Sequence, residues 1–165
     1  MKKIALILGI LAIATAISGN IKYNKESARK TTAKLYYVDS SMLRLIPIDY
    51  DAGFLTVSAA AKKVVDELIE GEDYNRRILR VIPDAKNCMS VKIDKNTAYV
   101  NLKKHFTENL PNNETHERLM LYSIVNSLTS IEGIDMVKFL FDGKEKNEEI
   151  GGVDMREVFI PDYYM

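Results

Sequence analysis

The sequence predicts an α+β domain with two helices packed on β-sheet, and three observations carry that prediction. Two segments place apolar residues at helical spacing, one folds back on itself with two-residue alternation, and one short run is apolar on both faces. In chain order these give hairpin, helix and strand twice, over residues 35–82 and again over 88–142. The halves share a layout and no residue identity.

The first strand is Leu35-Tyr36-Tyr37-Val38, aromatic and β-branched. Asp39-Ser40-Ser41 supplies a turn, and Leu43, Leu45, Ile48 and Tyr50 make a second strand in which Pro47 marks a sheet edge or a bulge. Ser58 is the expected N-cap of a helix running to Glu70 and closed by Gly71. Ala61, Val64, Val65, Leu68 and Ile69 form its apolar face. Ile78 to Ile82 is a short strand ended by Pro83-Asp84.

In the central hairpin, a two-residue turn at Lys95-Asn96 pairs Ile93 with Ala98, Val91 with Val100 and Met89 with Leu102, all on one face. Asn96 is the residue expected to take the positive φ of that turn. A second helix starts at Asn112-Asn113 and buries Leu121, Ile124, Val125 and Leu128. Met136 to Phe141 is expected to be a central strand, because it is apolar on both faces, and Asp142-Gly143 ends it in a turn.

The N-terminus has a different composition. After Met1-Lys2-Lys3, the run Ile4 to Ile21 carries no charge, which predicts a signal peptide or signal anchor over 1–21. Ala14-Thr15-Ala16 offers a cleavage site, while the run is also long enough for a membrane helix of ~18–20 residues. If the segment is kept, the basic flank of Lys22, Lys25, Arg29, Lys30 and Lys34 favours holding that side in the cytoplasm. The two lysines ahead of the apolar run point instead to export and an extracytoplasmic domain. Residues 22–33 are polar and without periodicity, a tether, and 34–165 form the domain.

A length of 165 residues fits one domain with an appendage. Lys+Arg 23 against Asp+Glu 23 gives no net charge, which argues against a nucleic-acid partner. Cys88 is the single cysteine, so no internal disulfide forms, and it lies too far from the apolar run to carry a lipid. It is expected to be a small buried residue.

Nothing supports an enzyme or a cofactor. His105 and His116 sit in polar segments without ligand spacing and are expected at the surface. Asp49, Asp51, Glu145, Glu148 and Glu149 lie outside any calcium-loop pattern, and lysines interleave the last three. Ser123, Ser127 and Ser130 line a helix with no base beside them. Gly151-Gly152 has no following helix to hold a phosphate.

The ordered set Leu35-Tyr36-Tyr37-Val38, Ile82-Pro83, Ala98-Tyr99-Val100-Asn101-Leu102, Leu128-Thr129, Val137 to Gly143 and Gly152-Val153-Asp154 resembles the GerMN domain of sporulation and spore germination. The resemblance covers Leu35 to Phe159. It makes Leu128, Thr129, Asp142, Gly143 and Gly152 structural motif positions. It also implies an exported, membrane-attached, non-enzymatic module related in fold to ring-building motifs, with protein partners in an envelope complex or self-association. Many relatives carry a lipid-bearing cysteine, absent here. The solvent side of the second helix, with Glu117, Arg118 and Asn126, is the expected partner surface, beside the strand edge at Pro47. The alternative is a cell-wall glycan or peptide module using Tyr36, Tyr37, Tyr99, Tyr163 and Tyr164, although tryptophan, the usual sugar platform, is absent.

Overall fold

Alternation of side chains builds the first sheet, and it begins earlier than the polar sequence suggests. In the computed structural model, which describes residues 26–70, 78–79, 82, 89–110 and 112–165, strand β1 spans Arg29–Asp39. The expected tether over 22–33 and the domain start at 34 are therefore corrected, because residues 29–33 already pair with 50–55. The pattern was hidden because Lys30, Thr32 and Lys34 occupy the outer face while Thr31 and Ala33 are buried on the other. The segment 1–21, Gly71, Pro83-Asp84 and Cys88 lie outside the described residues.

Strand β2 (Leu45–Leu55) runs antiparallel to β1, with Tyr36 opposite Pro47 and a register shift at Thr31/Thr32. Gly53 takes φ 93° beside that shift, and its N–H donates to Asp51 Oδ1 at 2.9 Å. A two-residue strand β3 (Ile78–Leu79) pairs with Val38 and Asp39 on the other side of β1, giving the order β2-β1-β3. The edge position expected for the Pro47 strand is observed.

Helix α1 (Val57–Glu70) buries Ala60, Ala61, Val64, Val65, Leu68 and Ile69, the expected face with one addition. Its cap is Thr56 rather than Ser58: Ala59 N–H donates to Thr56 Oγ1 at 3.2 Å and Ala60 N–H to the Thr56 carbonyl at 2.9 Å. Ser58 instead meets Glu26.

The central hairpin, β4 (Met89–Asp94) and β5 (Thr97–Leu102), has the expected register at all three apolar pairs. Lys95, with φ 55°, takes the left-handed position expected for Asn96. Asn96 is occupied elsewhere, since its carbonyl accepts the Asp135 N–H and its side-chain amide donates to the Asp135 carboxylate. A short helix α2 (Lys104–Glu108), absent from the expectation, follows and contains His105.

Helix α3 (Glu114–Thr129) is capped by Asn113 Oδ1, which accepts the His116 N–H at 3.1 Å. His116 is half-buried in its first turn. Strand β6 (Met136–Phe141) lies parallel to β5 in the order β4-β5-β6, so β5 is central and β6 flanks it. The C-terminal segment covers the outer edge of β6. Val137 and Phe159 exchange backbone hydrogen bonds, and the Lys138 ammonium donates to the Arg156 carbonyl. Phe159 then meets Phe139 edge-on at 5.0 Å between centroids. Two-residue strands β7 (Glu149–Ile150) and β8 (Val153–Asp154) form a small hairpin.

One continuous core joins α1 and α3 to both three-stranded sheets. A second, smaller cluster of Tyr36, Val38, Leu45 and Leu119 lies on the opposite face of β1 and β2, with Met42, Tyr122 and Met165 packed on it. Among the described residues, no helix is long and apolar enough to cross a membrane.

Candidate interaction surface

An exposed strand edge offers unpaired backbone groups to another chain, so the fate of each edge decides where a partner can bind. The edge of β1 facing away from β2 is closed by a helix. Ser127 Oγ accepts the Tyr36 N–H at 2.8 Å, Ser123 Oγ donates to the Tyr36 carbonyl at 2.5 Å, and Ser130 Oγ accepts the Lys34 N–H at 2.8 Å. The three serines that offered no nucleophile thus act as a hydrogen-bonding ladder, α3 taking the place of a strand. Their spacing of i, i+4, i+7 beside the apolar stripe was the available signal.

This arrangement orients β2. Tyr36 directs both backbone groups at serines, so its pair with Pro47 is one of the non-hydrogen-bonded pairs and the Pro47 nitrogen faces the outer edge. On that same side, Leu45 N–H donates to the Met165 carbonyl at 3.1 Å. One end of the β2 edge is therefore occupied by the C-terminus and then interrupted by proline. From Asp49 to Phe54, no strand pairs with it among the described residues.

The expected partner surface on α3 is corrected. Glu117 Oε2 accepts the Gly151 N–H at 2.9 Å, and Arg118 Nε donates to the Gly151 carbonyl at 2.7 Å. Asn126 is fully buried, donating to the Asp162 carbonyl at 2.6 Å and accepting the Asp162 N–H at 3.0 Å. All three side chains hold the C-terminal segment: Asn126 is buried beneath it, and Glu117 and Arg118 are half-buried against its Gly151 turn.

The five positions that the resemblance singled out are dispersed in the fold. Leu128 is in the core, and Thr129 Oγ1 donates to the Val125 carbonyl at 2.7 Å. Asp142 and Gly143 form a tight turn with φ 48° and 79°, closed by Phe141 and Lys144, and Asn101 Oδ1 accepts the Gly143 N–H at 2.7 Å. Gly152 lies in the β7–β8 turn, against Glu114 and Arg118.

A groove of about 740 Å³ lies over the outer face of β1 and β2, between the open edge and the C-terminal end of α3. Thr32, Lys34, Asp49 and Asp51 line it on the sheet, Thr129 and Ser130 on α3, and Tyr163 at one end. Tyr163 is half exposed and stacks on Tyr36 at 5.6 Å between centroids. Burial, with a smaller push from Tyr163, raises the Tyr36 phenol above its ordinary range. Lys34 Nζ lies 3.0 Å from Asp49 Oδ1, and that hydrogen bond and charge raise the lysine. Ser130 is engaged with the Lys34 backbone, so the groove presents no activated nucleophile.

The acidic residues are distributed rather than convergent. Glu145 pairs with Lys138 at 3.6 Å, Glu148 with Lys146, and Asp51 with its own turn. Among the described residues, no three His, Cys, Asp or Glu are placed to hold a metal.

Comparison with solved structures places this fold beside three others. The first GerMN domain of the sporulation protein GerM from Bacillus subtilis superposes with a TM-score of 0.56 at 22% identity, over 73% of this chain and 86% of that chain. The tandem GerMN domains of the same protein give 0.59 at 21% identity, over 81% of this chain and 45% of that one. A candidate lipoprotein from Clostridium perfringens gives 0.57 at 20% identity, over 86% and 93%. At these identities the likeness is one of fold. No curated protein matches the chain significantly. The model of the Germane family, described as sporulation and spore germination, matches residues 34–147, and this chain belongs to that family.

Proposed function

We propose that this chain is a non-enzymatic assembly module of an envelope complex in sporulation or germination. It is exported and attached to, or released from, the extracytoplasmic face of the membrane through Ile4–Ile21. The observation that carries the reading is the open β2 edge from Asp49 to Phe54 beside a wide groove, in a fold whose β1 edge and C-terminus are closed from within. Family membership supports the process, and the likeness to a candidate lipoprotein from Clostridium perfringens supports the location. Partners of this module are proteins, copies of itself included.

A second reading is favoured by one feature, the half-exposed Tyr163 ring stacked on Tyr36 at the end of the groove. Such a ring could stack against a wall glycan or peptide. The test compares D49R and T32R with Y163A, scoring complex assembly in sporulating cells and sedimentation with purified cell wall. Assembly lost in the first two variants, with wall sedimentation unchanged in all three, is the expected result. Normal assembly with wall binding lost only in Y163A transfers the function to the glycan reading.

A further inference from the structure

We propose that Phe54 and Lys30 form a membrane-contacting tip that docks the domain on an anionic lipid surface. The inference rests on the anchoring part of the reading above, with Ile4–Ile21 retained in the bilayer, and adds how the domain then lies.

The length of the connection requires proximity. Glu26 is fixed on the domain, its carboxylate accepting the Ser58 hydroxyl at 2.9 Å and the Ser58 N–H at 3.3 Å in the first turn of α1. Only five peptide steps separate Ile21, the end of the uncharged run, from Glu26, and the extended chain spans at most about 17 Å over that distance. The end of the first sheet that carries Arg29 and Leu55 is thereby held near the headgroups. The β1–β2 turn with Leu43 lies at the other end of β1, about 33 Å away by strand rise.

What that near end presents fits a lipid interface. Phe54 is 72% exposed, and Lys30 stands directly opposite it across the β1–β2 pair on the same exposed face. The register shift beside Gly53 sets Phe54 on this face. An exposed Phe ring inserts at the boundary of headgroups and acyl chains, and lysines beside it are drawn to anionic leaflets. Lys30 has no ion pair among the described residues; Glu132 pairs with Arg29 at 3.2 Å, while Glu26, hydrogen-bonded to Ser58, and Asp51, hydrogen-bonded to the Gly53 N–H, keep their charge. Lys22 and Lys25, in the connection itself, offset those two carboxylates in number and leave Lys30 as the surplus positive charge.

The chain contains no tryptophan, so F54W introduces a single one, excited selectively over the nine tyrosines. The full chain carrying F54W, or L43W as the distant control, is reconstituted into vesicles of phosphatidylglycerol with phosphatidylcholine brominated on its acyl chains. The expected result is co-flotation of both variants, with blue-shifted and bromine-quenched emission in F54W alone. Adding K30Q lowers the docked-to-undocked ratio about fivefold. Flotation with F54W as unquenched as L43W overturns the contact while leaving the anchor intact. Failure of the chain to float removes the anchoring reading and the contact with it.

Discussion

Ser127 Oγ accepts the backbone N–H of Tyr36 at 2.8 Å, joining a helix and a strand edge that lie 91 residues apart in sequence. The same hydroxyl donates to the Ser123 carbonyl one turn back, so one side chain serves both its own helix and the sheet. Ser127 is fully buried, and water has no access to replace it. Ser127→Ala leaves the Tyr36 N–H without a partner and is expected to destabilise the fold by about 1–3 kcal/mol. Urea unfolding measures this, and unchanged stability would mean that the strand edge is satisfied in another way.

The C-terminal segment beyond residue 147 lies past the family match yet closes the second cluster, through Asn126 on Asp162 and Met165 on Leu45. Asn126→Ala is expected to cost about 1–3 kcal/mol and to speed hydrogen exchange at the Leu45 amide. Charge reversal at Glu117 and Arg118 is expected to loosen the Gly151 turn and lower stability, whatever the partner. If both reversals leave the thermal midpoint unmoved and block assembly, these residues face a partner after all.

Glycines at two turns are expected to differ. A Cβ on Gly143 meets open space, so Gly143→Val costs on the order of 1–2 kcal/mol from its φ of 79° alone. A Cβ on Gly151 would lie 2.6 Å from the Arg118 backbone nitrogen, with φ 60° besides. Gly151→Ala is therefore expected to cost more, above ~3 kcal/mol, since helix backbone cannot swing aside as a side chain can. Equal effects at the two positions would contradict the close approach of turn and helix.

Asp154 provides a pH signature. Hydrogen bonds from the Arg156 side chain, then from its backbone N–H, hold the carboxyl at about 2 instead of the usual 3.8. Because the folded value is depressed, the contribution is complete above the unfolded pKa and is lost as pH falls from about 4 through 2. Arg156→Gln should return the NMR titration midpoint of Asp154 most of the way to the ordinary carboxylate value. A midpoint near 4 in the unaltered protein would show that the pair does not persist in solution.

The sequence by itself determined what depends on neighbours within a few residues. The apolar face of α1, the β4–β5 register, the Asn113 cap and the Asp142-Gly143 turn all follow from local periodicity and turn chemistry. Tertiary structure decided the rest, for one physical reason: buried or paired backbone groups must find polar partners, however far along the chain. Periodicity assigns the polar side of α3 to solvent. In the fold, Ser123 and Ser127 answer the β1 edge, and Glu117, Arg118 and Asn126 answer turns 33 to 36 residues downstream. The flanking place of β6 was hidden for the same reason, since its outer edge is paired by a returning C-terminal segment that side-chain periodicity does not register.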